Sequence, residues 1–228
     1  MPNIITLYHG STKIIEKPLL GKGNPFNDYG LGFYCTKNLE LAKEWACADR
    51  SGGFANAYVI DIADLTLLDL AAPGYGLLDW LAVLLANRVF DITSPLAAEA
   101  KEYLISHFSP NPAAFDIISG YRADDSYFTF ALDFLSSTIS LRQLSRAMTL
   151  GSLGIQLTIK SQRAFDLLQF IGSEPADGEI YFTKRRERDK EARERYFRRE
   201  RGSARRGDDV FILDILREEM IPGDARLQ

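Results

Sequence analysis

The sequence predicts an α+β fold, and three observations point there. Short apolar runs are interleaved with helical stretches in no strict strand–helix–strand rhythm, which disfavours a doubly wound parallel sheet. Hydrophobic residues make up 46% and charged residues 25% of 228, enough to bury a core without disulfides. The charge is segregated: residues 184–206 hold twelve Lys/Arg against five Asp/Glu, an excess of +7 in a chain of net charge −4. The remainder carries about −11, which argues against a uniformly nucleic-acid-binding protein.

Taken in order, residues 3–8 are an apolar run ending at His9-Gly10-Ser11, a strand entering a turn. Residues 21–28 collect Gly21, Gly23, Asn24, Pro25, Asn27 and Asp28, which reads as a loop. From Asn38 as N-cap, Leu41, Trp45 and Ala48 recur at helical spacing until Gly52-Gly53. Residues 57–62 and 65–70 are predicted strands. Residues 75–89 and 95–108 are predicted helices, the second capped by Ser94 with Pro95 at its first position. The apolar stretch at 77–86 is too short, and too interrupted by Asp79, to span a bilayer, so no membrane partner is expected. A strand at 115–119, a helix at 124–135 and a Ser140-capped helix stopped by Gly151 follow. Ile155, Leu157 and Ile159 then alternate with Gln156, Thr158 and Lys160, the period of a half-buried strand. A short helix covers 162–168. Residues 184–206 read as a solvated, charge-alternating helix, with 208–220 packing back on the body.

The expected organisation is a domain over residues 1–183 with a helical insertion at about 75–150, then a charged helical extension over 184–228. Cys35 and Cys47 form no metal-ligand pattern, and two His residues without a Cys/His cluster make a metal site improbable. A nucleophile pair of Cys35 with His9 or His107 has no signalled orienting partner, and His107 reads as structural. Met1-Pro2-Asn3 begins no signal-peptide pattern, so a cytoplasmic location is expected.

Two motifs carry the chemistry: Tyr8-His9-Gly10-Ser11 and Tyr29-Gly30-Leu31-Gly32-Phe33-Tyr34. Each alone reads as a turn. There is no third Gly for a dinucleotide fingerprint and no Gly-Lys-Ser/Thr for a P-loop. In this order, and followed by Trp45 on the next helix, they resemble the NAD-binding signature of ADP-ribosyltransferases of the diphtheria-toxin and poly(ADP-ribose)-polymerase class. More narrowly, the chain resembles a bacterial, toxin-like family of that superfamily. The resemblance runs from about residue 4 to 170, through Gly120-Tyr121-Arg122-Ala123-Asp124-Asp125 and the strand around Gln156.

The resemblance implies an ADP-ribosyltransferase-like split sheet with an inserted helical region and a charged C-terminal helix. It also implies NAD as substrate, held by His9, Gly10, Ser11, Gly30, Gly32, Tyr34 and Trp45, with His9, Tyr34 and Gln156 as the catalytic set and no metal. Tyr34 and Trp45 would sandwich the nicotinamide by stacking. The Gly10 backbone would hold its carboxamide, Ser11 would support that contact, and His9 would bond the adenosine ribose. Two positions depart from the family pattern. Ala42 stands where the polymerases carry a nicotinamide-bonding Ser, and Gln156 where a Glu normally steadies the cationic sugar. Losing that charge in a dry site costs on the order of 10²–10³ in rate. The sequence therefore points to mono-ADP-ribosylation rather than polymer synthesis. Asp124, Asp125, Glu174, Asp177 and Glu179 are the candidate compensating carboxylates.

The expected function is transfer of ADP-ribose to a protein or nucleic acid with release of nicotinamide, as a toxin or defence effector countered by a small antitoxin. The alternatives are a catalytically weak NAD- or ADP-ribose-binding module and an NAD glycohydrolase. The basic tail would either be solvated or hold a nucleic acid or an acidic partner.

Overall fold

The computed structural model describes residues 1–123, 125–150 and 154–227, without the side chains of residues 125 and 126. Asp124, Gly151 and the Asp125 side chain thus lie outside the described residues. In chain order the elements begin β1 (Ile4–Ser11), β2 (Phe33–Thr36), α1 (Leu39–Ala46), β3 (Gly53–Asp61), β4 (Leu67–Asp69), α2 (Leu77–Asn87) and α3 (Pro95–Phe108). They continue β5 (Ile117–Tyr121), α4 (Asp125–Leu135), α5 (Leu141–Ala147), β6 (Ile155–Ile159), α6 (Gln162–Leu167), β7 (Gln169–Ala176), α7 (Gly178–Arg195) and α8 (Ile212–Arg217). The fold is α+β, as the interleaved pattern predicts.

The chain divides into two compact units. The first comprises residues 1–69, 111–122 and 154–187. It is built on a seven-stranded sheet of order β4-β5-β6-β2-β1-β3-β7. Only β4 and β5 run parallel; the other neighbours are antiparallel. β1 is paired with β3 along its whole length, from Ile4↔Asp61 to Ser11↔Phe54. Towards β2, the ladder among the described residues is the one pair Tyr8↔Thr36. The sheet is thus continuous but nearly divided, β4-β5-β6-β2 on one side and β1-β3-β7 on the other.

One face of this sheet is apolar. Leu7, Phe33, Cys35, Tyr58, Leu157 and Ile159 pack there with Ala164 and Phe165 of α6. Each large side chain so buried contributes roughly 1.5–3 kcal/mol. The other face receives α1, which is capped as expected by Asn38, its side chain accepting from Leu41 N–H at 3.1 Å. Where α1 crosses β1 the approach is close: a Cβ on Gly10 would overlap the Ala42 carbonyl and lie 2.6 Å from Ala46 N.

The second unit comprises residues 70–110, 123–153 and 188–227, and its regular elements are helices. α2 is buried almost all round, Leu78 and Trp80 through Leu85 being at most 3% exposed. α3 carries its Ser94 cap and first-turn Pro95, and α5 its Ser140 cap with Gln143 closing the box. Arg142 grips Asp209 with two bonds, Nε to Oδ1 at 2.7 Å and Nη2 to Oδ2 at 2.8 Å.

Three expectations are corrected. The helical insertion at about 75–150 is not continuous, because residues 111–122 return to the sheet as β5. The boundary at 183/184 falls inside α7, which starts at Gly178 behind the edge strand β7. The tail is also not uniformly solvated: Ala192 and Tyr196 are fully buried. The Tyr196 ring lies 4.2 Å from that of Phe130, and its hydroxyl donates to Asp133 at 2.5 Å. Two residues four apart make one narrow stripe that charge counting hides. Among the described residues, no helix is long and apolar enough to cross a membrane.

Candidate functional site

His9, Gly10, Ser11, Gly30, Gly32, Tyr34, Trp45 and Gln156 all fall in the sheet unit. Tyr8↔Thr36, Thr36↔Gln156 and Gln156↔Gly120 line up as one transverse row across β1, β2, β6 and β5. Cross-strand partners share a face, so Tyr34, Thr36, Gln156 and Thr158 all belong to the face that carries α1. Continuing the β1–β2 register two pairs further would set Gly10 opposite Tyr34. Trp45 is brought to the same place by α1, its Cβ 2.8 Å from where a Gly10 Cβ would sit. Gly10 and Tyr34 thereby belong to the face that receives α1, with Trp45 packed against Gly10.

His9 belongs to the other face, its ring stacked on Phe33 at 4.2 Å. It reaches the seam edgewise: Nδ1 lies 2.7 Å from the Tyr34 carbonyl oxygen, standing in for the ladder bond that the strands no longer make. Burial lowers the pKa of this imidazole below its ordinary 6.5, with the Tyr34 bond opposing in part. His9 is therefore neutral at pH 7.

The glycine-rich loop is folded back on β2 and β6. Gly30 has φ +71°, the left-handed region that favours glycine. A Cβ on Gly32 would strike Thr158 Cγ2 at 2.5 Å. The Tyr34 hydroxyl donates to Gly30 O at 2.5 Å and accepts from Tyr29 N–H at 3.0 Å. The Tyr29 hydroxyl bonds Tyr121 O at 2.6 Å, and its ring runs parallel to that of Tyr34, centroids 6.4 Å apart. Lys160 closes the loop by donating to Tyr29 O and Leu31 O, both at 2.6 Å. Its partial burial lowers its pKa.

Trp45 carries a cation on its face: the Arg122 guanidinium lies 4.0 Å from the ring centroid. Trp45 Nε1 and the Thr158 hydroxyl are buried with no hydrogen-bond partner among the described residues. Buried polar atoms are normally paired, which sets these two apart within the sheet unit.

Gln156 is 3% exposed, and so is Asp28. Gln156 Nε2 donates to Asp28 Oδ2 at 2.7 Å and to Tyr121 O at 3.2 Å. Asp28 is a site residue that sequence reasoning takes for a loop breaker; its signal is an acid two residues before Gly30. Lys160 is likewise read there only as the polar phase of a strand.

The described compensating carboxylates stand elsewhere. Glu174 is on β7, four strands from β6, and pairs with Lys43 at 2.8 Å. Asp177 caps α7 through Glu179 N–H at 2.8 Å, and Glu179 pairs with Arg50 at 3.0 Å. At about 4.8 Å per strand, β7 lies roughly 19 Å from β6. The Ser11 hydroxyl donates to Lys13 O at 2.5 Å and accepts from Asn56 Nδ2 at 3.0 Å, holding the turn after β1. Cys35 is fully buried and its thiol pKa is pushed up by burial, which makes it a core residue. His107 stacks on Tyr103 at 4.1 Å and bonds its carbonyl at 3.0 Å.

Comparison with known families gives a match over residues 5–170 to the family described as "Protein of unknown function (DUF3990)". The chain belongs to this family, and the match spans the sheet unit up to the start of β7. Neither the comparison with curated proteins nor that with solved structures gives a match.

Proposed function

We propose that this DUF3990 protein is an NAD-dependent mono-ADP-ribosyltransferase acting on a macromolecule. The observation that carries the reading is the seam between β1 and β2. His9, Gly10, Tyr34, Trp45 and Gln156 converge there from separate places in the sequence, with Trp45 Nε1 and the Thr158 hydroxyl left unpaired among the described residues.

Each group has a role in this reading. The nicotinamide ring stacks between Trp45 and Tyr34, where Arg122 already makes the cation–π contact that a pyridinium would make. The Gly10 backbone takes the carboxamide. A neutral His9 whose Nδ1–H is given to Tyr34 O keeps Nε2 as an acceptor for a ribose hydroxyl. In the reaction, the bond from the ribose anomeric carbon to the nicotinamide nitrogen breaks and its electron pair neutralises the pyridinium. The acceptor's nucleophile supplies the new pair to that carbon and gives its proton to solvent. The developing cation on the sugar is the charge the site must stabilise. The acceptor is a protein or a nucleic acid, a toxin or effector being the role that such a modification serves.

The experiment is transfer of label from adenylate-labelled NAD to a macromolecule or to the chain itself. Wild-type protein transfers label, while His9→Ala and Tyr34→Ala do not; full transfer by both variants removes the assignment. The amide at Gln156 favours a second reading, an NAD-binding module. That reading gives NAD-induced stabilisation without nicotinamide release.

A further inference from the structure

We infer that Asp28 is the positioning residue that converts Gln156 from an amide into a fixed acceptor, and that it brings a carboxylate to this site. The inference rests on the transferase reading above and names the group that carries its charge.

A free glutamine side chain presents an acceptor oxygen or a donor nitrogen with nearly equal ease. Here the choice is made by the partners. Asp28 Oδ2 at 2.7 Å and the Tyr121 carbonyl at 3.2 Å are both acceptors, so both can bond only the nitrogen end. The two Nε2 hydrogens are committed to them. The amide orientation is thereby set, and Oε1 is the end of Gln156 left to meet a ligand. An oxygen acceptor on this strand is what a ribose hydroxyl needs.

The same bond carries charge. The Asp28 carboxylate lies one hydrogen bond behind the amide in a buried environment, both residues being 3% exposed. A carboxylate accepting from Nε2 polarises the amide and makes Oε1 a stronger acceptor, and such coupling strengthens where the local dielectric is low. The unit Asp28–Gln156 therefore places a carboxylate on the reacting sugar through one intervening group. Asp28 is held to this task by the fold. The Tyr29 hydroxyl is bonded to Tyr121 O at 2.6 Å, and Lys160 fixes Tyr29 O at 2.6 Å, so the residue following Asp28 is anchored on both sides.

The test is a charge relocation, read as nicotinamide release from NAD, with kcat, KM for NAD and Tm measured for every protein. Asp28→Asn keeps an acceptor oxygen for Gln156 but removes the charge. It is expected to lower kcat about 10- to 100-fold while KM stays within about threefold. The double variant Asp28→Asn/Gln156→Glu moves the carboxylate to position 156 and lets the new amide at position 28 donate to it. It is expected to return kcat to within about threefold of wild type. A purely structural Asp28 would move Tm and would not be rescued by a glutamate at position 156. Wild-type kcat in Asp28→Asn, or a folded double variant no faster than that single variant, overturns the inference while leaving the transferase reading standing. Should Asp28→Asn not fold, the double variant decides alone, by whether it turns over near the wild-type rate. Absence of nicotinamide release from the wild-type protein removes the transferase reading, and this inference with it.

Discussion

His9 Nδ1 lies 2.7 Å from the Tyr34 carbonyl oxygen, at the point where β1 and β2 cease to pair. A carbonyl only accepts, so Nδ1 carries the proton, and burial keeps the ring neutral by lowering its pKa below 6.5. This one bond joins the two halves of the sheet beyond Tyr8↔Thr36 and fixes the tautomer offered to a ligand.

A pH dependence follows. The unfolded chain takes up the His9 proton near pH 6.5, before the folded chain does. Its contribution to stability is thus fully present above that pH and is lost as pH falls towards the lowered folded value. Thermal unfolding between about pH 7.5 and 5 should show a fall in Tm that is shallower in His9→Asn. Parallel curves would mean that His9 is not buried neutral.

Gly10 is required by the approach of α1, since an added Cβ would overlap Ala42 O. Gly10→Ala is expected to destabilise by about 3 kcal/mol, an overpacking cost with backbone on the other side. Gly202→Ala, where nothing lies within 4 Å, serves as the neutral control. Denaturant unfolding of both variants measures the difference, and equal stabilities would contradict the close packing of α1 on β1.

Lys160 makes two charge-assisted bonds to loop carbonyls. Lys160→Met should loosen the loop around Gly30 and Gly32, weakening NAD binding about tenfold, on the order of 1.4 kcal/mol. Titration calorimetry with NAD reads this directly. Unchanged affinity would show that the loop needs no such clamp.

In the helical unit, Arg142 and Asp209 form a two-bond pair in which the Asp209 side chain is wholly buried. Asp209→Ala leaves Arg142 without this partner and is expected to cost about 3 kcal/mol. The pair holds the Asp209 carboxyl well below the usual carboxylate range. Its contribution is therefore present above about pH 4 and is lost as pH falls below that. Urea unfolding at about pH 7 and pH 3 should show the variant's deficit shrinking at the lower pH.

What is legible in the sequence is what local rules encode. Asn38, Ser94 and Ser140 announce their helices by capping chemistry, and Ile155 to Lys160 announces β6 by its alternation. The motif residues His9, Gly10, Tyr34, Trp45 and Gln156 are visible because their spacing is local or their pattern specific. β7 is hidden by Gly172 and Pro175, which read as breakers yet are tolerated on an edge strand with a register shift at Ala57/Tyr58. Asp28 is hidden for a different reason. Its partner is 128 residues away, and a loop acid shows no periodicity from which burial could be inferred. Tyr196 is masked by the arginines around it, although its ring and hydroxyl are both engaged.

The proposed function requires that the chain cleave the bond between nicotinamide and ribose at the β1–β2 seam. Nicotinamide formed from NAD by purified protein, followed by chromatography with and without added protein and RNA acceptors, tests it most directly. Nicotinamide is expected in step with ADP-ribose attached to an acceptor, reduced at least about tenfold in Trp45→Ala and Gln156→Ala. No nicotinamide under any of these conditions, or undiminished release from both variants, would contradict it.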